Sequence, residues 1–168
     1  VETAAYTKRA FSEFLATDKA NELEGVITGY GSIDGSIVYA FSQDVSACSG
    51  AVSKAHAEKI AKVYELAVKN GAPVVAIFDS NGAKVSEGVE VLASYQKILS
   101  MSQNLSGVVP QIAVVAGSCV GISAMMAASA DITVMAKDAA LYLTDAQEDA
   151  SAEAAAKNGV VSLVEEDA

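Results

Sequence analysis

The chain reads APVVAIFDSNGAK at residues 72–84 and QIAVVAGSCVGI at residues 111–122. Each copy is an apolar strand that runs into a glycine-containing turn, and a helix-like run follows each turn. A helix that opens after a buried strand points its first backbone N–H groups out of the sheet edge. Such N–H groups can bind an anion or a developing oxyanion. The repeat therefore predicts a candidate site at the carboxyl end of each of these two strands.

The flanking segments extend the same alternation of strands and helices. The Asp34-Gly35 pair predicts a hairpin between two strands, and Asn70-Gly71 predicts the end of a helix. The apolar run after Gly121 predicts a buried central helix. Further helices are predicted at about 4–20, 57–70 and 88–104 and in an alanine-rich run up to residue 158, and strands at 26–31, 36–41, 74–78, 112–116, 132–135, 139–143 and 160–164. This order predicts a single α/β domain over residues 1–168 with a largely parallel sheet.

Composition limits the classes of partner. Hydrophobic residues make up 52% of the 168 residues, enough for a sizeable core, and the net charge is −10. Such a charge argues against nucleic-acid binding and against an anionic membrane surface, since both need basic residues. The most apolar stretch, residues 108–130, contains Pro110, Gly117 and Gly121, which favours strand, turn and helix over membrane insertion. Two isolated cysteines and a charged start without a signal-peptide pattern predict a cytoplasmic location.

Each of the repeated turns has two interpretations. The polar run that begins at Asp79 either lines a ligand site or is a loop in which Asp79 caps local N–H groups. The second turn either presents the N–H groups of Gly121 and Ile122 as an oxyanion hole or uses small residues for close strand–helix packing. These last two interpretations are compatible, because a helix start has free donors in either case.

Other reactive side chains lack the partners that catalysis needs. The run from Gly121 to Met125 loosely resembles the nucleophile turn of Clp-type proteases, but His56 precedes it and Met125 stands where their serine falls, so a hydrolase is rejected. His56 is predicted to face solvent from the first turn of a helix. No metal site is predicted, because carboxylates at ligand spacing do not accompany this histidine. Cys119 is interpreted as a small buried thiol, with a stabilised thiolate as the alternative.

Several segments together resemble the N-terminal domain of biotin-dependent carboxyltransferases, which are the β subunits of acyl-CoA carboxylases and the related acyl-CoA and malonate decarboxylases. The resemblance is colinear and covers nearly the whole chain. The matching segments are GYGSIDG at 29–35, VYAFSQD at 38–44, HAEKI at 56–60, GAPV at 71–74, DSNGAKVSEG at 79–88, SGVVPQI at 106–112 and the run at 159–167. The resemblance implies a ClpP/crotonase-like fold, a spiral of ββα units in a single α/β domain.

The same resemblance implies the chemistry and the residues of the site. The family moves a carboxyl group between biotin and the α-carbon of an acyl-CoA, and backbone N–H pairs stabilise the enolate and biotin oxyanions. It implies an acyl-CoA substrate, biotin carried on a partner protein, and Gly121 and Ile122 as the catalytic donor pair. The residues implied to line the cleft are Asp79, Ser80, Asn81, Gly82, Ala83, Lys84, Gly117, Ser118 and Cys119.

The chain departs from the family pattern in three places. It has GI at 121–122 where the family has a glycine pair, NGAK at 81–84 where the family has a Gly-Gly-Ala-Arg-type loop, and an alanine-rich helix in place of a longer segment after residue 144. The family also completes each site with a C-terminal-type domain of another subunit. The expected partners are therefore a second copy or a complementary C-terminal-type chain, and a biotin carrier protein. Two hypotheses follow: a subunit or half-domain of a carboxyltransferase or decarboxylase, or a non-catalytic paralogue that serves assembly.

Overall fold

A computed structural model describes residues 14–16, 24–144 and 149–166. Eight strands among these residues form one mixed sheet, in which β1 to β6 are adjacent in chain order, β8 pairs with β6, and β7 pairs with β5. The strands are β1 Phe14–Ala16, β2 Val26–Ile33, β3 Ser36–Gln43, β4 Val74–Ser80, β5 Gln111–Val120, β6 Ile132–Ala136, β7 Ala140–Tyr142 and β8 Leu163–Glu165. The helices are α1 Lys54–Asn70, α2 Glu90–Leu105, α3 Ile122–Ala128 and α4 Ala152–Lys157.

The hairpin and the parallel part of the sheet follow the predicted pattern. Asp34 and Gly35 have φ angles of 49° and 81°, and a two-residue hairpin of the I′ type needs both to be positive. β1, β2 and β3 are antiparallel neighbours, and the sheet is parallel from β3 to β6. α1 ends at Gly71, whose φ of 61° is the left-handed conformation expected of a helix-ending glycine.

Aromatic contacts fix α1 over the sheet. The ring centroids of Phe41 and Tyr64 are 5.9 Å apart, and those of Phe41 and Phe78 are 5.6 Å apart, both in edge-to-face geometry. Such pairs add specific geometry to the burial of apolar area. Because Tyr64 belongs to α1 and the two phenylalanines to β3 and β4, the contacts tie the helix to the strands whose ends carry the candidate site.

Three predictions about single elements are wrong in part. Phe14–Ala16, which fall in the predicted N-terminal helix, form β1 and pair with residues 29–31, because the edge of β2 offers backbone groups that a strand satisfies. The rest of that predicted helix lies outside the described residues. The segment at 117–120, predicted as a turn, is strand because β7 pairs with it. α3 has only seven residues and leaves Met125 43% exposed, so it is not buried all round.

The alanine-rich segment forms the short helix α4. Ser151 Oγ caps its start by accepting the N–H of Ala154 at 3.2 Å. The helix ends at Asn158, and Gly159 follows with a φ of 74°, as the sequence predicted. The chain then returns to the sheet as β8 beside β6, so α4 lies between β7 and β8 in chain order.

Candidate active site

The candidate site lies where β4 and β5 separate at their carboxyl ends. The two strands pair in register up to Phe78 and Val115, and the next pair is Ser80 with Cys119. β5 therefore has two more residues than β4 between these pairs, and its backbone bulges. The carboxyl ends of neighbouring parallel strands are where open α/β sheets hold ligands.

Asp79 fills the gap between the separated strands. Its Oδ1 accepts the N–H of Ser118 at 3.2 Å. A Cβ at Gly117 would lie 2.5 Å from Asp79 Cγ and 2.8 Å from Oδ2, so any larger residue would force the carboxylate to shift. Burial raises the pKa of Asp79, and the Ser118 N–H opposes that rise without cancelling it. The structure thus brings Asp79 and Ser80 of the first turn together with residues 117–119 of the second.

The next three residues of the first turn pair with the segment at 49–52. The N–H of Asn81 donates to the Ser49 carbonyl at 3.3 Å, and the N–H of Val52 donates to the Gly82 carbonyl at 2.9 Å. Ala83 forms an isolated bridge with Val52. These bonds hold the first turn against the loop at residues 49–52. Asn81, Gly82 and Ala83 thus find their backbone partners in that loop and not in β5.

Lys84 is held by an acidic side chain. Its Nζ lies 3.4 Å from Glu87 Oε1, and Glu87 Oε2 also accepts the N–H of Lys54 at 2.8 Å. The Lys84 backbone N–H donates to the Val52 carbonyl at 3.0 Å. Lys84 therefore carries a charge that a neighbouring carboxylate balances, and its backbone belongs to the loop pairing just described.

At the second turn the chain reverses at Gly121. This residue has a φ of 64° and a ψ of −124°, a conformation that only glycine adopts without strain. Its N–H donates to the Tyr142 carbonyl at 3.0 Å, so this N–H is engaged and not free for an oxyanion, unlike the expectation from sequence. No acceptor among the described residues binds the N–H of Ile122 or Ser123, which open α3. The donors available at this turn are therefore those of Ile122 and Ser123, together with that of Ala124, since the first bond of α3 runs from the Met125 N–H to the Gly121 carbonyl.

Cys119 lies beneath the cleft rather than on its surface. Its side chain is fully buried. Burial raises the pKa of the thiol, and the nearby Asp79 carboxylate raises it further. The thiol is therefore protonated at neutral pH, which agrees with the interpretation as a small buried thiol and not with a stabilised thiolate.

Two buried polar residues behind Asp79 were missed from the sequence. His56 is fully buried, so the prediction that it faces solvent is wrong. Gln43 Oε1 accepts the N–H of Asp79 at 3.1 Å, and Gln43 Nε2 lies 3.4 Å from His56 Nε2. Burial lowers the pKa of His56 to about 3, so the ring is neutral at physiological pH.

The burial of His56 had a signal in the sequence. Ile60 and Tyr64 follow it at spacings of four and eight residues, and all three side chains are buried on one face of α1. His56 thus belongs to the apolar stripe that predicted the helix. Its polarity favoured the exposed interpretation, whereas its position favoured the buried one.

An apolar groove of about 390 Å³ begins beside the second turn. Residues of α3, β7 and α4 line it, among them Met125, Tyr142 and Ala155. Tyr142 also provides the carbonyl that binds the Gly121 N–H, so the groove and the turn share one strand end. A mostly apolar lining with few polar groups suits an acyl or other apolar part of a ligand.

Metal-ligating side chains are dispersed in the part of the chain that the structure describes, where no group of three His, Cys, Asp or Glu residues could hold a metal ion. Among the same residues, no helix is both long enough and apolar enough to cross a bilayer. Cys48 and Cys119 are both unpaired.

A match to a known protein family identifies the family of this chain. The family model for the carboxyl transferase domain matches residues 3–151. The chain belongs to the carboxyl transferase domain family. This membership confirms the resemblance derived from the sequence, and with the structural matches below it confirms the α/β crotonase-like fold.

Relatives in this family have acyl-CoA carboxylase and decarboxylase names. The chain is 45% identical over 138 residues to the methylmalonyl-CoA decarboxylase subunit alpha of Veillonella parvula, covering 82% of this chain and 27% of the relative. It is 42% identical over 148 residues to the mitochondrial propionyl-CoA carboxylase beta chain of Homo sapiens, covering 86% of this chain and 27% of the relative. The chain thus spans about a quarter of the length of these curated relatives.

A solved family structure has the same fold. The transcarboxylase 12S structure with methylmalonyl-coenzyme A and methylmalonic acid bound matches with a TM-score of 0.90 and 30% sequence identity. The match covers 98% of this chain and 38% of that chain. The described strands and helices therefore correspond to one part of that longer transcarboxylase chain.

Proposed function

We propose that this chain is the N-terminal half of an acyl-CoA carboxyltransferase or decarboxylase site, completed by a C-terminal-type domain. The observation that carries the proposal is the family match over residues 3–151, together with alignments that cover only about a quarter of each curated relative. The names of those relatives contain methylmalonyl-CoA and propionyl-CoA. A short acyl-CoA is therefore the proposed substrate.

The proposed contribution of the chain is electrostatic. A thioester carbonyl placed at the start of α3 would face the N–H groups of Ile122 and Ser123, which lack acceptors among the described residues. As the α-carbon becomes a carbanion, charge moves onto the thioester oxygen, and donors already in place stabilise it. The groove beside Tyr142 would receive the apolar part of the substrate.

Biotin is proposed to reach this site on a carrier protein and to need the partner domain. The chemistry of the family develops negative charge on two oxygens, one on the thioester and one on biotin. The second turn offers unengaged donors on the consecutive residues Ile122, Ser123 and Ala124, because Gly121 is bound to Tyr142 and the first bond of α3 comes from the Met125 N–H. Donors that share one turn of helix suit one oxyanion, so donors for the other come from the completing domain, in a homo-oligomer or a complex with a C-terminal-type chain.

The alternative proposal is a non-catalytic paralogue that serves assembly. The observation in its favour is that Ile122, a branched residue, stands at the donor turn and packs partly buried against the core. A side chain at this position narrows the approach to the N–H groups.

A cytoplasmic location also stays a prediction; the human relative carries the word mitochondrial in its name.

The two proposals are separated by removing one N–H group. Ile122 is the first residue of α3, and proline is well tolerated at that position while it lacks an N–H. Ile122→Pro therefore deletes the donor and keeps the helix start. Ile122→Ala is the matched control, because it removes the bulk of the side chain and keeps the N–H.

Binding of propionyl-CoA and turnover of methylmalonyl-CoA would be measured with and without a C-terminal-type chain. An oxyanion site predicts that Ile122→Pro lowers turnover by about 10²–10³-fold, as the loss of one such donor does elsewhere, while Ile122→Ala retains or increases it. Equal behaviour of the two variants would favour the assembly role. No heat of binding with millimolar propionyl-CoA, in either the presence or the absence of the partner, would refute the enzymatic proposal.

A further inference from the structure

A chain of polar contacts runs behind the candidate site from α1 to β5. It starts at the His56 ring, passes through the Gln43 side chain to the backbone of Asp79, and continues through the Asp79 carboxylate to Ser118. His56 and Gln43 have relative exposures of 0% and 1%, so both ends of their contact are shielded from water. The contacts connect α1, β3, β4 and β5 at the point where β4 and β5 separate.

The chemistry of these contacts fixes the orientation of each group. The backbone N–H of Asp79 can only donate, so the atom of Gln43 that faces it must be Oε1. The amide nitrogen of Gln43, which can only donate, then faces His56 Nε2 at 3.4 Å. His56 Nε2 must therefore accept, which requires a neutral ring with its proton on Nδ1.

We propose that His56, as a neutral ring protonated on Nδ1, is a positioning residue that holds Gln43 against the Asp79 backbone and thereby sets the Asp79 carboxylate at Ser118. The role is indirect, because His56 lies behind the strands and reaches the site only through Gln43. The expected effect of His56 on substrate binding rests on the function proposed above. The expected effect of His56 on the position of Asp79 does not depend on that function.

The environment of the ring argues against simple space filling. His56 Nδ1 is buried, and the Glu24 backbone is its nearest acceptor but makes no hydrogen bond of good geometry with it, an arrangement that disfavours a polar side chain at this place. The neighbouring Lys59 charge disfavours protonation, and the Glu24 backbone favours it more weakly than burial opposes it. An apolar residue would pack here at lower cost. The feature that only a polar ring provides is the acceptor for Gln43.

The protonation of the ring can be read directly, because His56 is the single histidine of the chain. Nitrogen-15 NMR of the labelled imidazole in the 168-residue chain is expected to show a bare Nε2 and a protonated Nδ1 from pH 8 down to pH 5. A proton on Nε2, or a midpoint near the ordinary histidine value, would overturn the proposal.

Two variants of Gln43 test the coupling. Gln43→Glu keeps an acceptor for the Asp79 N–H and removes the donor to His56, so the ring proton is expected to move to Nε2 while the Asp79 amide stays protected from hydrogen exchange. Gln43→Met removes both contacts, and the Asp79 amide is expected to lose its protection at least tenfold. An unchanged ring in Gln43→Glu together with unchanged Asp79 protection in Gln43→Met would refute the role.

Ligand binding then tests the consequence for the site. Amide shifts on titration with propionyl-CoA are expected to show about tenfold weaker binding for Gln43→Met, the equivalent of one lost hydrogen bond. Gln111→Met is the matched control, because Gln111 is also buried and hydrogen-bonded but lies at the amino end of β5. Equal affinity of Gln43→Met and the unmodified chain would overturn the link to the site. Absence of binding by the unmodified chain, both alone and with a C-terminal-type chain, would instead count against the proposed function, and the tautomer and exchange results would still decide the role of His56.

Discussion

Replacing Gly117 with alanine should break the contact between β4 and β5 at the candidate site. The added Cβ would lie 2.5 Å from Asp79 Cγ and 2.8 Å from Oδ2, well inside van der Waals contact. Overpacking of this kind costs about 1–3 kcal/mol. If Asp79 moves to relieve it, the Ser118 bond of 3.2 Å is lost, and a bond to a charged group contributes about 1.5–3 kcal/mol. Because Asp79 is only half-buried, we expect a total near 3 kcal/mol.

The cause of this cost is tested by changing Asp79 in the same chain. In an Asp79→Ala background the clashing atoms are absent, so Gly117→Ala should cost less than about 0.5 kcal/mol, which corresponds to a coupling of about 2–3 kcal/mol. In an Asp79→Asn background the side chain has the same size, so most of the steric cost should remain. Urea unfolding monitored by circular dichroism measures each free energy, and unchanged m-values check that the comparison is valid. Equal costs of Gly117→Ala in all three backgrounds would refute the reasoning.

Three further predictions concern stability and can be checked by the same unfolding assay. Burial lowers the pKa of His56 to about 3 in the folded chain, whereas its ordinary value is 6.5, so the unfolded chain binds the proton first and stability falls as pH drops from about 6.5 towards 3. Between pH 7 and pH 5 the unmodified chain should lose about 2 kcal/mol more than His56→Gln, and parallel losses would contradict this. The buried hydroxyl of Tyr95 has only the Ser123 side chain as a neighbour to bond with among the described residues, and makes no hydrogen bond of good geometry with it. Tyr95→Phe should therefore leave stability unchanged or raise it by about 1 kcal/mol, and a marked loss would show that the Ser123 contact is a strong hydrogen bond. Gly121→Ala should cost about 1–3 kcal/mol because of the φ of 64° and ψ of −124°, and a neutral result would show that the turn relaxes.

Much of the fold was predictable because its signals are local. The Asp34-Gly35 turn, the end of α1 at Gly71 and the end of α4 near Asn158 all depend on the conformational preferences of a few adjacent residues. The repeated strand–turn–helix pattern likewise located β4 and β5 and the two turns of the candidate site.

The failures concern groups whose partners are distant in sequence. β1 forms a strand because β2 is available as a neighbour, and residues 117–120 are strand because β7 arrives beside them. Helical periodicity cannot report such pairings, since they depend on which segment completes the ladder. The engaged N–H of Gly121 has the same origin, because its acceptor is the carbonyl of Tyr142, a residue of β7.

The sequence by itself determined the family, the α/β fold and the two turns at the ends of β4 and β5. It did so because apolar periodicity, glycine positions and colinear motifs are properties of the chain read in order. Only the tertiary structure decided which groups meet: Asp79 with Ser118, Gly121 with Tyr142, and Gln43 with both His56 and the Asp79 backbone. A buried polar group must find its partner wherever the fold places one, so these contacts became visible only when the strands were set side by side.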